Sequence, residues 1–156
     1  MLRISRLADY GVLLLLQVAK DSGSPMHTAR DLADAVALPL PTVTKILKAL
    51  AKGGILESHR GKTGGYTLNR PPAAVSVVDV ITAIEGRPAF TQCTAVTEDP
   101  CVREASCPAR PNWSRVHGTV LAALSRLTLA DMGQVPGRRV PIAPVTLPAA
   151  PPRGVS

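Results

Sequence analysis

The chain of 156 residues is 46% hydrophobic but only 3% aromatic, and its formal net charge is +7. These values fit one domain with appendages and an aliphatic core, and the positive charge favours an anionic partner such as nucleic acid. The longest apolar run near the N-terminus, Val12 to Leu16, is far shorter than the ~20 residues of a membrane span and lacks a signal-peptide pattern. We therefore expect a cytoplasmic protein without a membrane segment.

Three short helices are predicted in the first third of the chain. Apolar residues recur at helical spacing over residues 4–20, 28–39 and 41–53. Thr28 and Asp31 form a pattern close to a capping box, which predicts that the second helix begins at this point.

Two short strands follow, near Ile55–His59 and Tyr66–Leu68, and the glycine-rich stretch RGKTGG joins them as a tight hairpin requires. Three helices and a glycine-tipped hairpin are typical of a winged helix-turn-helix, in which one helix enters the major groove of DNA. Residues 1–70 contain ten Lys or Arg and five Asp or Glu, so their net charge is 10 − 5 = +5. The alternative is a protein-interaction module whose lysines form a solvated helix face.

The residues expected to contact DNA lie on the third helix and on the wing. Hydroxyl and ammonium groups near the start of the helix reach base edges or phosphates, and cations on a glycine-rich tip suit phosphates or a narrow minor groove. These residues are Thr42, Thr44, Lys45 and Lys48 on the helix, and Arg60 and Lys62 on the wing.

A fourth helix is predicted to begin at Ser76 and to end at Gly86. A longer helix follows from about Asn112 to Leu127, and its apolar stripe either packs on its own domain or forms a subunit contact. The remainder is rich in proline and glycine and has no helical or strand period. The predicted division is residues 1–86 for DNA binding, 87–111 for a cysteine loop, 112–132 for dimerisation and 133–156 for a disordered tail.

All three cysteines, Cys93, Cys101 and Cys107, lie in one loop-like stretch. An odd number cannot form a closed disulfide framework. The spacing C-x7-C-x5-C lacks the close cysteine pairs of structural zinc sites and suits a loop wrapped around a larger object, such as an iron–sulfur cluster. A fourth ligand would come from an Asp, a His, solvent or a small thiol. Zinc, a redox thiol switch and chance clustering are the alternatives.

Taken together, these features resemble the Rrf-type winged-helix regulators, a family that includes IscR, NsrR and RirA, over roughly residues 1–132. The resemblance is carried by LADYGVLLLL in the first helix, LPTVTKILKALAKGGILES through the third, RGKTGGYTL in the wing, VVDVITAIEG in the fourth, the three cysteines, and LTLADM. It is nearest to the regulators of SUF-type iron–sulfur cluster assembly, in segments such as MLRISRLADYG and SCPARPNW.

The resemblance implies a mainly α fold with a small β-wing, a long C-terminal dimerisation helix, and a homodimer that binds a double-stranded DNA operator. It also implies a 2Fe–2S or 4Fe–4S cluster on the three cysteines. IscR-like members carry a ligating His where this chain has Arg110, which stays protonated and cannot ligate. Asp9 matches the ligand that NsrR-like members supply from the other subunit and is the first candidate for the fourth position; His117 is the second, and an exogenous ligand remains open.

The predicted function is repression of iron–sulfur cluster assembly genes. In this hypothesis, loss of the cluster disorders the cysteine loop and changes the spacing of the two recognition helices. The alternative is a winged-helix regulator with a metal-free thiol, redox or nitric-oxide switch. Neither an enzyme nor a small-molecule substrate is expected, because there is no C-x-x-C motif and the histidines fall in a linker, the wing and the long helix.

Overall fold

The computed structural model describes residues 4–20, 26–61, 64–95 and 101–134. The helices are α1 (Arg6–Lys20), α2 (Ala29–Ala35), α3 (Leu40–Lys52), α4 (Val77–Glu85), α5 (Arg110–Ser125) and α6 (Leu129–Met132), and the strands are β1 (Leu56–His59) and β2 (Gly65–Leu68). A mainly helical chain with one small antiparallel sheet confirms the predicted fold class. The predicted contact Lys62 and nearly all of the predicted tail, residues 135–156, lie outside the described residues.

Both capping signatures found in the sequence form real caps. The hydroxyl of Thr28 accepts a hydrogen bond from the N–H of Asp31 at 3.2 Å, and the Asp31 carboxylate accepts from the N–H of Thr28. Ser76 and Asp79 make the same reciprocal pair at the start of α4, at 3.1 and 3.0 Å. Two N–H groups that the helix itself cannot use are thereby satisfied at each start.

The core is aliphatic, as the low aromatic content predicts. It joins the inner faces of α1, α2 and α3 to β1 and to the segment before α4. Its fully buried members include Leu14, Leu15, Leu32, Val43, Ile46, Leu47, Leu50, Ile55, Val75 and Leu129.

The end of the long helix returns to this core. Thr128 is extended, and its hydroxyl and Asp131 form a third capping box that starts α6, so α5 ends at Ser125. Leu129 is 1% exposed, and its N–H donates to the carbonyl of Val75 at 2.8 Å. The sequence analysis continued one helix to Leu127 and did not separate α6 from it.

Hydrogen bonds from Thr128 hold the pKa of Asp131 below its ordinary value, the side-chain bond contributing more than the backbone bond. The Thr128 hydroxyl donates to the Asp131 carboxylate at 2.7 Å, and the Thr128 N–H donates to it at 2.9 Å. The ionised form of this carboxyl therefore helps to hold α6 in place.

Within the described residues, no helix has the length and apolarity that crossing a membrane requires.

Candidate nucleic-acid interface and cysteine segment

The helix α3 presents one face to the core and another to solvent. Its apolar residues at positions 43, 46, 47 and 50 are buried, whereas Lys45 and Lys48 are exposed. Thr42 and Thr44 are half-buried near the start of the helix. All four predicted contacts of this helix are therefore at least partly exposed to solvent, the two lysines more than the two threonines.

The two lysines of α3 are free to meet an external anion. No acidic side chain in the described parts of the chain lies within salt-bridge distance of Lys45 or Lys48. A phosphate would therefore not have to displace an internal partner before binding either ammonium group.

The wing carries its cation beyond the end of β1. Arg60 is exposed directly after the strand. His59, by contrast, is turned into the hairpin, where its Nε2 lies 3.0 Å from the hydroxyl of Thr67. Of the described wing residues named in the sequence analysis, Arg60 is the one best placed for a phosphate.

The base of the wing is fastened to the segment before α2. The N–H of His27 donates to the carbonyl of Tyr66 at 3.1 Å, and the N–H of Tyr66 donates back at 2.9 Å. A Cβ on Gly65 would lie only 2.7 Å from the carbonyl oxygen of His27, so this close approach requires glycine. Sequence analysis missed this junction, although the two consecutive glycines in KTGGY were the available signal.

The three cysteines lie on the segment between α4 and α5. Cys93, Cys101 and Cys107 are all free thiols, and each is half-buried. Within the described parts of the chain, no three His, Cys, Asp or Glu side chains are gathered closely enough to hold a metal. The thiols therefore share one segment without converging on one point in the single protomer.

The cysteines sit in turns that the backbone already orders. The Sγ of Cys93 lies 3.2 Å from the hydroxyl of Thr91. The N–H of Glu104 donates to the carbonyl of Cys101 at 2.8 Å, and the N–H of Arg110 donates to the carbonyl of Cys107 at 3.3 Å. The Arg110 guanidinium is 2.6 Å from the carboxylate of Glu104, so an ion pair joins the two ends of the stretch that contains Cys107.

His117 of α5 faces the turn that carries Cys93. Its ring meets Phe90 edge to face, with the ring centroids 5.2 Å apart. Its Nδ1 atom is buried and has no hydrogen-bond partner within the described residues. Asp9, in the first turn of α1, is exposed. The thiols and the imidazole are donor types that iron–sulfur clusters use, but no three of these side chains come together as a metal site in the described protomer.

The long helix α5 has no buried residue along its 16 positions. Trp113 and Val116 are 45% and 46% exposed, and Ile4 beside it is 52% exposed. Val120 and Leu124 line a cavity of about 310 Å³ that α5 shares with the ends of α1 and α4. The first half of the predicted apolar stripe is therefore exposed in the single protomer, whereas Val120, Leu124 and Leu127 are half-buried.

Comparisons with known proteins agree with this architecture. Residues 4–134 match the Rrf2 family, described as an iron-dependent transcriptional regulator. The HTH-type transcriptional repressor NsrR of Streptomyces coelicolor is 28% identical over 137 residues, covering 86% of this chain and 90% of that protein. The structure of CymR, the global cysteine regulator of B. subtilis, gives a TM-score of 0.64 at 27% identity and covers 85% of this chain and 97% of CymR. IscR of T. potens gives a TM-score of 0.59 at 28% identity and covers 84% of this chain and 85% of that one.

Proposed function

Because the chain belongs to the Rrf2 family of DNA-binding transcriptional regulators, and not to a family of enzymes, we propose that it represses iron–sulfur cluster assembly genes in the cytoplasm. Its signal would be the occupancy of a cluster on Cys93, Cys101 and Cys107. The observation that carries this proposal is the set of three free, half-buried thiols on the segment that joins α4 to α5. When bound, the cluster supplies a redox-sensitive cross-link between the three cysteines.

The proposed DNA contacts are Thr42, Thr44, Lys45 and Lys48 on α3, together with Arg60 and Lys62 on the wing. The exposed lysines and their lack of described acidic partners support this role. Cations without internal partners contribute sequence-independent affinity for phosphates, while the hydroxyl groups near the start of the helix are candidates for base edges.

A second copy of the chain is the proposed cover for the apolar face of α5. Trp113 and Val116 are nearly half exposed. The helix therefore lacks much of the apolar burial that normally stabilises an amphipathic helix. In a symmetric dimer built on α5, the two α3 helices would read half-sites about one helical turn, ~34 Å, apart.

The connections of α5 suggest how the cysteine segment would influence DNA binding. At its start, the N–H of Arg110 bonds the carbonyl of Cys107; just beyond its end, the carbonyl of Leu127 accepts from the N–H of Val77 at the start of α4. Ordering of the cysteines at one end would therefore bias the angle between α5 and α4 at the other end.

The test is anaerobic purification with iron and sulfide counting, followed by operator binding before and after exposure to air. The wild type and the matched control Ser106→Ala, on the same segment, should be brown and contain sulfide, and air should change their operator affinity. Cys101→Ala should be colourless and insensitive to air. A colourless wild type, or a Cys101→Ala protein that still responds to oxidant as the wild type does, would refute the proposal.

A metal-free thiol switch is the second candidate function. It is favoured by the lack of a three-ligand group in the described parts of the protomer and by the likeness to CymR, whose description names cysteine. In that case the anaerobic protein would contain no sulfide, yet its operator affinity would still change on oxidation and recover with a reducing thiol.

A further inference from the structure

We propose that the first residues of the C-terminal tail, 135–142, dock in a groove between α1 and α2 of the same chain. The second half of α1 and the end of α2 form the walls of this groove. Its lining residues are Leu13, Leu16, Gln17, Lys20, Ala35 and Val36. The proposal requires neither a cluster nor a dimer, and it gives the segment VPGRRVPI a binding site.

The groove is an apolar depression that the described residues leave open. Leu13 is 45% exposed, although its neighbours Leu14 and Leu15 on α1 are fully buried. The depression has a volume of about 270 Å³. A cavity of roughly 150 Å³ can hold a benzene ring, so this one has room for an aliphatic side chain. A segment that covers Leu13 would remove apolar surface from water, which is favourable.

The described part of the chain ends beside this groove. Gly133 lies against Leu16, because a Cβ added to Gly133 would be 3.2 Å from the Cδ2 atom of Leu16. The short helix α6, which ends at Met132, also packs on α1. Because an extended residue spans at most ~3.6 Å, Val135 lies within about 7 Å of Gly133. The tail therefore begins at the wall of the groove, and its docking closes only a very short loop.

The sequence of the segment suits an apolar groove. Val135, Val140 and Ile142 have β-branched apolar side chains, and Pro136 and Pro141 restrict the backbone. Restricted residues lose less conformational entropy on docking than flexible ones do. Val140 and Ile142 are two positions apart, so an extended backbone would direct both side chains to the same side.

Charge favours this occupant at the α2 wall and opposes it at the α1 wall. Asp34 is exposed directly before Ala35, and no described cation lies within salt-bridge distance of it. Arg138 and Arg139 of the segment offer this carboxylate a partner. Lys20 repels the same two arginines, so the segment should lie with its arginines towards α2. Exposed ion pairs contribute little to stability, so apolar burial accounts for most of the docking.

The groove and the proposed dimer contact lie on different sides of α1. A Cβ added to Gly11 would meet Ile84 and Val80, so this position of α1 faces α4. Leu13 is two residues further along, which is about 200° around the helix, and it is therefore directed away from α4. The helix α5 packs on α4. A second copy that covers α5 would thus leave the groove open to the tail.

The docked segment would lie next to the turn that positions α3. Val36, in the lining, is followed by Ala37, whose φ of 53° is a left-handed conformation that residues other than glycine rarely adopt. The N–H of Leu38 donates to the carbonyl of Ala33 at 3.0 Å and closes this turn. A segment held against Val36 would hinder the opening of the turn and would thereby steady α3.

Photo-crosslinking in the full-length protein tests the docking. The variant Leu13→p-benzoylphenylalanine is irradiated, and its products are separated by size and mapped by mass spectrometry. Arg6, exposed two turns earlier on the same side of α1, is the matched control position. We expect a product of monomer mass, joined to residues 135–142, from position 13 and much less of it from position 6.

The other outcomes of this experiment identify other occupants. A product of dimer mass would assign the groove to a second copy of the chain and overturn the proposal. A product joined to another part of the same chain, or no product at all, would show that residues 135–142 do not occupy the groove.

Variants of the tail identify the side chains that dock. The double variant Val140→Asn and Ile142→Asn should lower the yield of the product from position 13 about tenfold, because apolar burial is lost. Val155→Asn, near the end of the same tail, is the matched control and should leave the yield unchanged. An undiminished yield in the double variant, or an equal loss in Val155→Asn, would overturn the assignment.

Hydrogen exchange tests the effect on the turn before α3. In full-length protein without the crosslinker, the double variant should exchange the amide of Leu38 faster than the wild type does, because the docked segment no longer hinders opening. Val155→Asn should exchange this amide at the wild-type rate. An unchanged rate in the double variant would overturn the proposed support of α3.

Discussion

The winged-helix head, formed by residues 4–86 and α6, and the arm, formed by residues 87–125, are packed in opposite ways. Leu14, Leu15, Leu47 and Leu50 of the head are fully buried. The 16 residues of α5 in the arm include no buried residue. The head therefore contains the burial that stabilises it, whereas the arm leaves part of the apolar face of α5, at Trp113 and Val116, nearly half exposed.

This contrast separates two sources of stability. Burial within one chain is independent of protein concentration, but burial between two copies is not. A cluster on the cysteines would likewise stabilise the arm only when it is bound. The stability of the head should thus be independent of protein concentration and of any cofactor. The stability of the arm should depend on both.

The largest expected effect is the loss of stability caused by a cavity in the head. Leu47→Ala should lower the free energy of unfolding by about 2–5 kcal/mol, because Leu47 is fully buried. Val116→Ala in the arm should change the unfolding of dilute protein by only about 0.5 kcal/mol. Urea unfolding followed by circular dichroism measures both. Equal costs at the two sites would contradict the contrast between head and arm.

Removing the exposed indole of the arm should act on association instead. Trp113→Ala should raise the dissociation constant of the proposed dimer about 30-fold, equivalent to about 2 kcal/mol, if Trp113 anchors the interface. Ser114→Ala, on the same helix, is the control and should have little effect. Sedimentation over a range of concentrations reports the change; a monomeric wild type would rule out α5 as a dimer contact.

Replacing a glycine by alanine should change the free energy of unfolding in opposite directions in the head and in the arm. Gly65→Ala places a Cβ 2.7 Å from the carbonyl oxygen of His27 and should cost about 1–3 kcal/mol while loosening the wing. Gly118 has open space around it within the protomer, so Gly118→Ala should stabilise the helix by about 1 kcal/mol in dilute protein. Thermal unfolding compares them, and a tolerated Gly65→Ala would show that the wing base is not tightly fixed.

A smaller effect distinguishes the cations of the two regions. Lys48→Ala should reduce the slope of log affinity against log salt by about one, as expected when one phosphate contact is lost. Arg115→Ala removes an exposed cation of the arm and should leave the slope unchanged. Operator titrations at several salt concentrations measure both slopes. Equal changes in slope would mean that the two cations contribute alike to DNA binding, whatever their position in the protein.

The smallest expected effect lies where arm and head join. The pKa of Asp131 is lower in the folded protein than its ordinary value of 3.8, mainly because of the Thr128 hydroxyl. Its stabilising contribution is therefore complete above that value and is lost as the pH falls through the lower, folded-state pKa. Asp131→Asn should be less stable than wild type at pH 7, with a difference that shrinks in acid. A difference independent of pH would exclude this carboxylate as the cause.

Sequence reasoning succeeded where the signal was local. The pairs Thr28–Asp31 and Ser76–Asp79 predicted the starts of two helices, and the structure forms both capping boxes. The same pattern occurs in TLAD at residues 128–131, but there the apolar stripe continues to Leu127 and predicts an unbroken helix. The apolar periodicity could not reveal the break between α5 and α6, because the break depends on hydrogen bonds to residues some fifty positions earlier in the chain.

The candidate sites were predictable to different degrees. The exposure of Lys45 and Lys48 followed from an amphipathic pattern that lies wholly within α3. The unpartnered Nδ1 of His117 did not follow from any pattern, because its burial depends on Phe90 and on the turn around Cys93. Likewise, the need for glycine at position 65 arises from the carbonyl of His27, which is distant in sequence.

The order of residue types along the chain was enough to determine the helical head, its hairpin, the surplus of positive charge near the third helix and the clustering of the thiols. Spacing and capping depend on residues that are close in sequence, and composition needs no structure at all. All three can therefore be evaluated from the sequence alone. Three features required the tertiary structure: the return of Leu129 to the core, the backbone hydrogen bonds between His27 and the wing, and the partial exposure of the apolar face of α5. Each depends on which distant segments meet, and that is settled by packing across the whole molecule.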